Sequence, residues 1–264
     1  MQKINQFSSG RFLLLIRQSL IINKKLLAIS VVGLIAILFF VLLFLQSATN
    51  FSGLDNQGNI TLFILVFIFP GMMYSGMSFS AFRSKEKSIG YLLIPASISE
   101  KFIFEFLTRI VLFIILIPGI FWLVVNIEGA IVHHYVPRLT NYTFSFAEAI
   151  NEMLKKEYPG TWGIYATVQI LLFILISTFT GACHFMKSPL SKTLFSIAGT
   201  ICGFVLLAFL LFKGLNLDEF RPAINGILYP VNNKEFLELV AFAAGLANLF
   251  LIGISWFSFK EKEA

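Results

Sequence analysis

The feature that most constrains this chain is the recurrence of unbroken apolar runs of about 20 residues, the length at which a helix covers the roughly 30 Å hydrocarbon core of a bilayer. The first, "LLAISVVGLIAILFFVLLFLQ", holds no charge from residue 26 to 46. Five more follow, and the spans expected are 26–46, 60–82, 104–126, 163–185, 193–213 and 236–257. The runs are continuously apolar rather than alternating, which argues against a transmembrane β-barrel. Charged types make up 13% of the chain, against about 25% in an ordinary soluble domain. The expected fold is therefore an all-α integral membrane protein with six transmembrane helices.

The net charge of +6 matters through its placement. With both ends on one side, fourteen of the 20 lysines and arginines fall on that side, including Arg11, Arg17, Lys24, Lys25, Lys187, Lys192, Lys260 and Lys262. Basic residues collect on the cytoplasmic face, so both termini are expected in the cytoplasm. The positive charge then flanks spans, and no nucleic-acid partner is expected. In 8–25, Arg11, Gln18 and Lys25 are spaced by seven, as are Arg17 and Lys24. They form one polar stripe of an interfacial amphipathic helix. The division is a cytoplasmic interfacial helix at 1–25, a six-helix transmembrane domain at 26–257 and a cytoplasmic tail at 258–264. The N-terminus lacks a short apolar core ending in a small-residue cleavage site, so no removable signal peptide is expected.

The longest loop, 127–162, falls outside. In it "SFAEAINEMLKKEYPG" starts with a Ser145/Glu148 capping-box spacing and stops at Pro159-Gly160, which reads as a short surface helix. His133 and His134 are adjacent and have no cysteine or carboxylate at a ligand spacing, so no metal site is expected there. Cys183 and Cys202 lie in apolar runs and are expected as thiols packed like small hydrophobes.

Spans two and three each carry a Pro-Gly pair, Pro70-Gly71 and Pro118-Gly119. Proline removes a backbone hydrogen bond and clashes with the preceding turn. These positions are hinge candidates, with a static kink as the plainer reading. Small residues four apart (Gly71/Ser75, Gly76/Ser80, Gly199/Gly203, Ala241/Gly245) permit close helix approach.

Catalytic and coupling patterns do not stand out. An ionisable group at mid-membrane is a functional site by default, but Glu128 and His184 fall near span ends and only Gln169 and Asn248 sit well inside. No Gly-rich phosphate loop, nucleophile–base set or metal cluster is spelled out. The chain is not expected to be an enzyme, no cofactor is expected, and the energy for any transport would come from a separate protein.

The charged interruption "SKEKSIGYLLIPASISEKF", residues 84 to 102, then lies in the cytoplasmic loop 83–103. Pro95 disfavours helix at Ile94. Ser97 with Glu100 is a capping-box spacing that starts a helix running into span three. The first piece, 85–93, is a short helix with Ile89, Leu92 and Leu93 toward the membrane. Its basic start opposes the helix dipole and calls for tertiary support. Pro95 is a third hinge candidate. The stretch reads as a docking surface for a soluble partner; the alternative is that its charges only fix topology.

This layout resembles the membrane subunit of a type-2 ATP-binding-cassette (ABC) transporter. "KEKSIGYLLIPASISEKF" is similar to a phrase of permease-like proteins of Bacteroidetes-type bacteria, through Lys87, Tyr91, Leu92, Pro95, Ala96, Ser97, Glu100, Lys101 and Phe102. "GACHFMKSPLSKTLF" is similar to their stretch between spans four and five, through Gly181, Phe185, Lys187, Lys192 and Thr193. The family often has a re-entrant element in the last outer loop, and Pro222, Gly226 and Pro230 permit one in 214–235. The resemblance implies that Arg83, Lys85, Glu86, Lys87, Tyr91, Glu100 and Lys101 couple to a separate ATPase. It implies a second permease subunit, identical or related, and transport, with export as the expected direction, across a bacterial cytoplasmic membrane. The competing readings are a stand-alone carrier or channel, and a membrane scaffold without transport.

Overall fold

The structure, a computed structural model, describes residues 7–48, 56–135, 143–155, 160–185, 187–214 and 233–263. Every regular element among them is helical. In order these are α1 (Ser9–Ala48), α2 (Asn56–Gly76), a 3-10 turn (Ser80–Arg83), α3 (Lys85–Leu92), α4 (Ile98–Phe106), a π turn (Leu107–Val111), α5 (Leu112–Tyr135), α6 (Phe146–Lys155), α7 (Gly160–His184), α8 (Pro189–Gly214) and α9 (Asn233–Glu263).

Among the described residues five helices are long and apolar enough to cross a membrane: Ser9–Ala48, Gly58–Gly76, Ile98–Tyr135, Gly160–His184 and Leu237–Lys262. They fit a multi-pass membrane protein. The remaining expected span, 193–213, falls within α8, where most side chains of the second half lie outside the described residues. The segment 214–235, whose composition permits a re-entrant element, falls almost entirely outside them too.

α1 and the rod that contains α5 exceed their expected spans the most. α1 runs unbroken through both the 8–25 stripe and the 26–46 run. No proline separates the two, and Lys24-Lys25-Leu26-Leu27-Ala28 are good helix formers. Its 40 residues measure about 60 Å, twice the hydrocarbon core. α4, the π turn and α5 join into one rod, Ile98–Tyr135. This rod outruns residue 126 because Val125, Glu128 and Val132 continue its buried stripe. Within it, Thr108 Oγ1 donates to the carbonyls of Phe104 (2.8 Å) and Glu105 (3.3 Å), competing with the α-helical ladder where the π turn begins.

The chain divides into two compact units, Met1–Gly71 with Ile89–Asn151, and Met72–Ser88 with Glu152–Ala264. The core of the first joins Leu38 and Leu42 of α1, Leu62 of α2, Phe121, Val124 and Val125 of α5, Phe144 and Ala149. Phe63, Phe121, Phe144 and Phe146 interlock edge to face at 4.8–5.7 Å, favourable aromatic geometry. Asn126 fixes the approach to α6: its Nδ2 donates to Phe144 O and its Oδ1 accepts from Phe144 N, both at 3.1 Å. α6 docks through Phe146 and Ala149 and leaves Ile150 and Leu154 exposed. Asn59, one of the chain's Asn-x-Ser/Thr sites, is buried in α2.

In the first unit α1 and the rod run parallel. Arg11 of α1 meets Glu100 of the rod at 3.0 Å. Further along both helices, Gln46 Nε2 donates to Glu128 Oε2 at 2.8 Å. In the second unit α7 and α9 also run parallel. Asn248 Nδ2 donates to Gln169 O (3.2 Å) and Oε1 (3.0 Å). Thr180 Oγ1 donates to Leu251 O, Cys183 Sγ to Ser255 O, and Lys262 Nζ to the Cys183 carbonyl. The two polar residues expected deep in spans, Gln169 and Asn248, thus bond to one another. Cys183 is buried as expected, whereas Cys202 is exposed on α8, and both are free.

Candidate docking segment

α2 ends at Gly76, and the turn and 3-10 element that follow are held by two residues. Arg83 Nη2 donates to the Gly76 carbonyl at 2.6 Å, placing a cation at the C-terminal end of α2. Phe79 adopts a left-handed conformation, φ 52°, which disfavours a side chain by about 1–2 kcal/mol. Its buried ring offsets that cost by packing at 5.2 Å on Phe179 and 4.9 Å on Phe259. Ser75 and Thr178 share a hydroxyl–hydroxyl bond, and a methyl on Gly76 would lie 2.9 Å from Leu190 Cδ1. Thus the segment 72–83 is seated against α7, α8 and α9 within the second unit.

α3 follows. Its backbone carries Lys85 and Lys87, whose side chains lie outside the described residues, and Glu86 is exposed. Glu86 sits in the first turn, where an acid suits the dipole and the two lysines do not. Ile89, Leu92 and Leu93 are all exposed, Leu93 by 76%. Pro95, also exposed, occupies the break between α3 and α4.

The first unit holds the remainder. Ser97 Oγ accepts from Glu100 N (3.3 Å) and Glu100 Oε2 accepts from Ser97 N (2.8 Å), completing the capping box. The other carboxylate oxygen of Glu100 accepts from Ser8 N at 2.6 Å and from Arg11 Nη2 at 3.0 Å. Glu100 is 0% exposed, and these donors give a buried carboxylate the charge-assisted bonds it needs. Lys101 is 2% exposed, with Nζ 5.1 Å from the centroid of half-buried Tyr91, a cation–π distance. Of the seven coupling candidates, Glu100, Lys101, Tyr91 and Arg83 therefore make contacts inside the protein. Arg83 and Glu86 have exposed surface.

The hinge candidates are distributed differently. α2 continues through Pro70 and α5 through Pro118. Gly71 is buried while Gly119 has open space around it. The chain passes from the first unit to the second directly after Pro70-Gly71.

The second phrase forms a tight corner. A methyl on Gly181 would lie 2.7 Å from Thr193 Cβ, so only glycine admits this approach of α7 to α8. Lys192 Nζ stands 5.8 Å from the Phe185 ring centroid.

Several structural residues escape sequence reasoning. Ser8 and Arg11 hold Glu100 across about 90 residues of chain, beyond the reach of spacing rules. Phe79 carries no signal because left-handed backbone is ordinarily a glycine property. Glu128 reads as a residue near a span end, and helix continuation to Tyr135 buries it instead. Among the described residues no group of three His, Cys, Asp or Glu is placed to hold a metal ion. No family model, curated protein or solved structure matches the chain.

Proposed function

We propose that this protein is the membrane subunit of an ABC-type transporter, moving a substrate outward across a bacterial cytoplasmic membrane on ATP hydrolysed by a separate ATPase subunit. The observation that carries the reading is the helix, break and capped helix over 85–106, whose capping glutamate also ties down the start of α1. A rod anchored at its first turn is suited to receive a push from a docked protein. In this reading Arg83, Lys85, Glu86 and Lys87 meet the ATPase, while the exposed apolar side chains Ile89, Leu92 and Leu93 turn toward the membrane. Tyr91, Glu100 and Lys101 carry the load into the rod and α1. Pro70-Gly71, Pro95 and Pro118-Gly119 are the places where the chain would yield.

The proposed topology has six spans with both termini in the cytoplasm. Two parallel helix pairs support it. For α1 to run parallel to the rod, and α7 to α9, an odd number of crossings must intervene, and α2 and α8 are available for them. A second permease subunit, identical or related, would complete the pathway, as two ATPase subunits closing on ATP imply two membrane partners.

The test is co-purification with an ATP-binding-cassette protein from the native membrane. Lys85→Glu with Lys87→Glu should abolish the complex while membrane insertion is retained. Persistence of the complex through multiple substitutions across 83–101 would sink the coupling assignment. A stand-alone carrier is the second reading, favoured by one observation, the buried carboxyl group of Glu128. It requires gradient-driven transport by the purified protein alone in liposomes.

A further inference from the structure

Glu128 lies on α5 and is 1% exposed. Among the described residues its Oε2 accepts one hydrogen bond, from the neutral amide of Gln46 at 2.8 Å, and its Oε1 has no partner. The core cluster one turn earlier on α5 is apolar. Val124 and Val125, one turn earlier, meet Leu38 and Leu42 of α1, Leu62 of α2, and Phe144 and Ala149 beside and within α6. The facing stretches 39–48 of α1 and 56–63 of α2 contain no ionisable residue. On α6 the charged residues Glu148, Glu152 and Lys155 are exposed. On α5 itself the nearest titratable groups are His133, half-buried, and His134, exposed.

An anion in this place loses its hydration and gains a single bond from an uncharged donor. A neutral acid loses far less, since an unpaired hydroxyl costs a small fraction of what an unpaired charge does. We propose that Glu128 is a proton-binding site within the membrane domain, its carboxyl held as the neutral acid between α1 and α5 with Gln46 donating to the carbonyl oxygen. The proton arrives from water and returns to it, and no other reactant is needed. The site releases it when α1 and α5 part at this level, because an ionised Glu128 needs water that the closed packing excludes. Proton uptake thereby favours the joined arrangement of the two helices.

The experiment is infrared spectroscopy of the full protein in lipid bilayers at neutral pH, read for the carbonyl stretch of a protonated carboxyl. The band should be present, vanish in Glu128→Gln, and remain in Glu148→Gln. Glutamine is a neutral isostere of the protonated acid, so the Glu128→Gln variant should fold. If it does not, the wild type decides through dicyclohexylcarbodiimide, which reacts with protonated carboxyls in apolar surroundings. The adduct should form on Glu128 and decline as pH rises. The proposal is overturned if the wild type shows no protonated-carboxyl band at neutral pH, if the band survives in Glu128→Gln, or if adducts form only on other acids.

Discussion

At Glu100 one carboxylate serves two helices. It closes the capping box of α4 and holds Ser8 N and Arg11 of α1. A glutamine there keeps one acceptor oxygen but turns an NH₂ toward groups that are themselves donors. Glu100→Gln should therefore destabilise the protein by about 1–3 kcal/mol, the usual cost of stranding buried polar groups. Arg11→Ala should cost less, because Arg11 is partly exposed and water can replace it. The two together should cost less than their sum, since they remove one shared contact. Thermal unfolding in detergent measures all three, and strict additivity would count against the node. The capping half of this node is legible as Ser-x-x-Glu ahead of an apolar run, because a cap is local chemistry. The α1 half is not, because a partner 89 residues away leaves no mark on spacing.

Gly181 shows a second kind of residue-scale constraint. Of the residues that mark its phrase in the sequence, Gly181 and Thr193 are the two that meet across α7 and α8. Gly181→Val should cost about 1–3 kcal/mol by overpacking. Adding Thr193→Gly should recover part of that loss, as read from the unfolding midpoints of the single and double variants. Equal destabilisation in both would mean that the two positions do not touch.

Among the elements, α1 and the rod are the informative pair. Apolar runs tell where helices cross but not where they stop. Segment 8–25 reads as a separate interfacial helix by its polar stripe, and nothing in its composition says that α1 continues through it. The same holds at the far end of α5, where "IEGAIVHHY" passes for a loop because it contains Gly129, His133 and His134. Helix direction supplies what hydropathy lacks: contacts at Arg11–Glu100 and Gln46–Glu128 set the two helices parallel. With Cys183 and Cys202 replaced by serine, cysteines at 46 and 128 should join through a short thiol-reactive crosslinker. Cysteines at 46 and 100 should not. Crosslinking of 46 to 100 in place of 46 to 128 would mean that the pair runs the other way.

For the whole molecule, the question is on which side of the membrane the anchored ends lie. In the first unit the start of α1 and the cap of α4 are joined. In the second, the ends of α7 and α9 come together at Cys183 and Lys262, with the turn that holds Phe79 packed on Phe179 and Phe259. Each unit thus brings basic residues to one end: Arg11 and Lys101 in the first, Arg83, Lys192 and Lys262 in the second. If both ends face the cytoplasm, as their charge favours, the segment between Arg83 and Lys101 is open to a soluble ATPase. If either faces outward, it is not. Single cysteines at positions 8, 86 and 262 in the cysteine-free background decide between these. All three should resist a membrane-impermeant maleimide added to whole cells and react once the membrane is opened, whereas a cysteine at 148, on α6, should react at once. Labelling of 86 from outside would remove the ATPase from contact with this segment, and with it the transporter assignment.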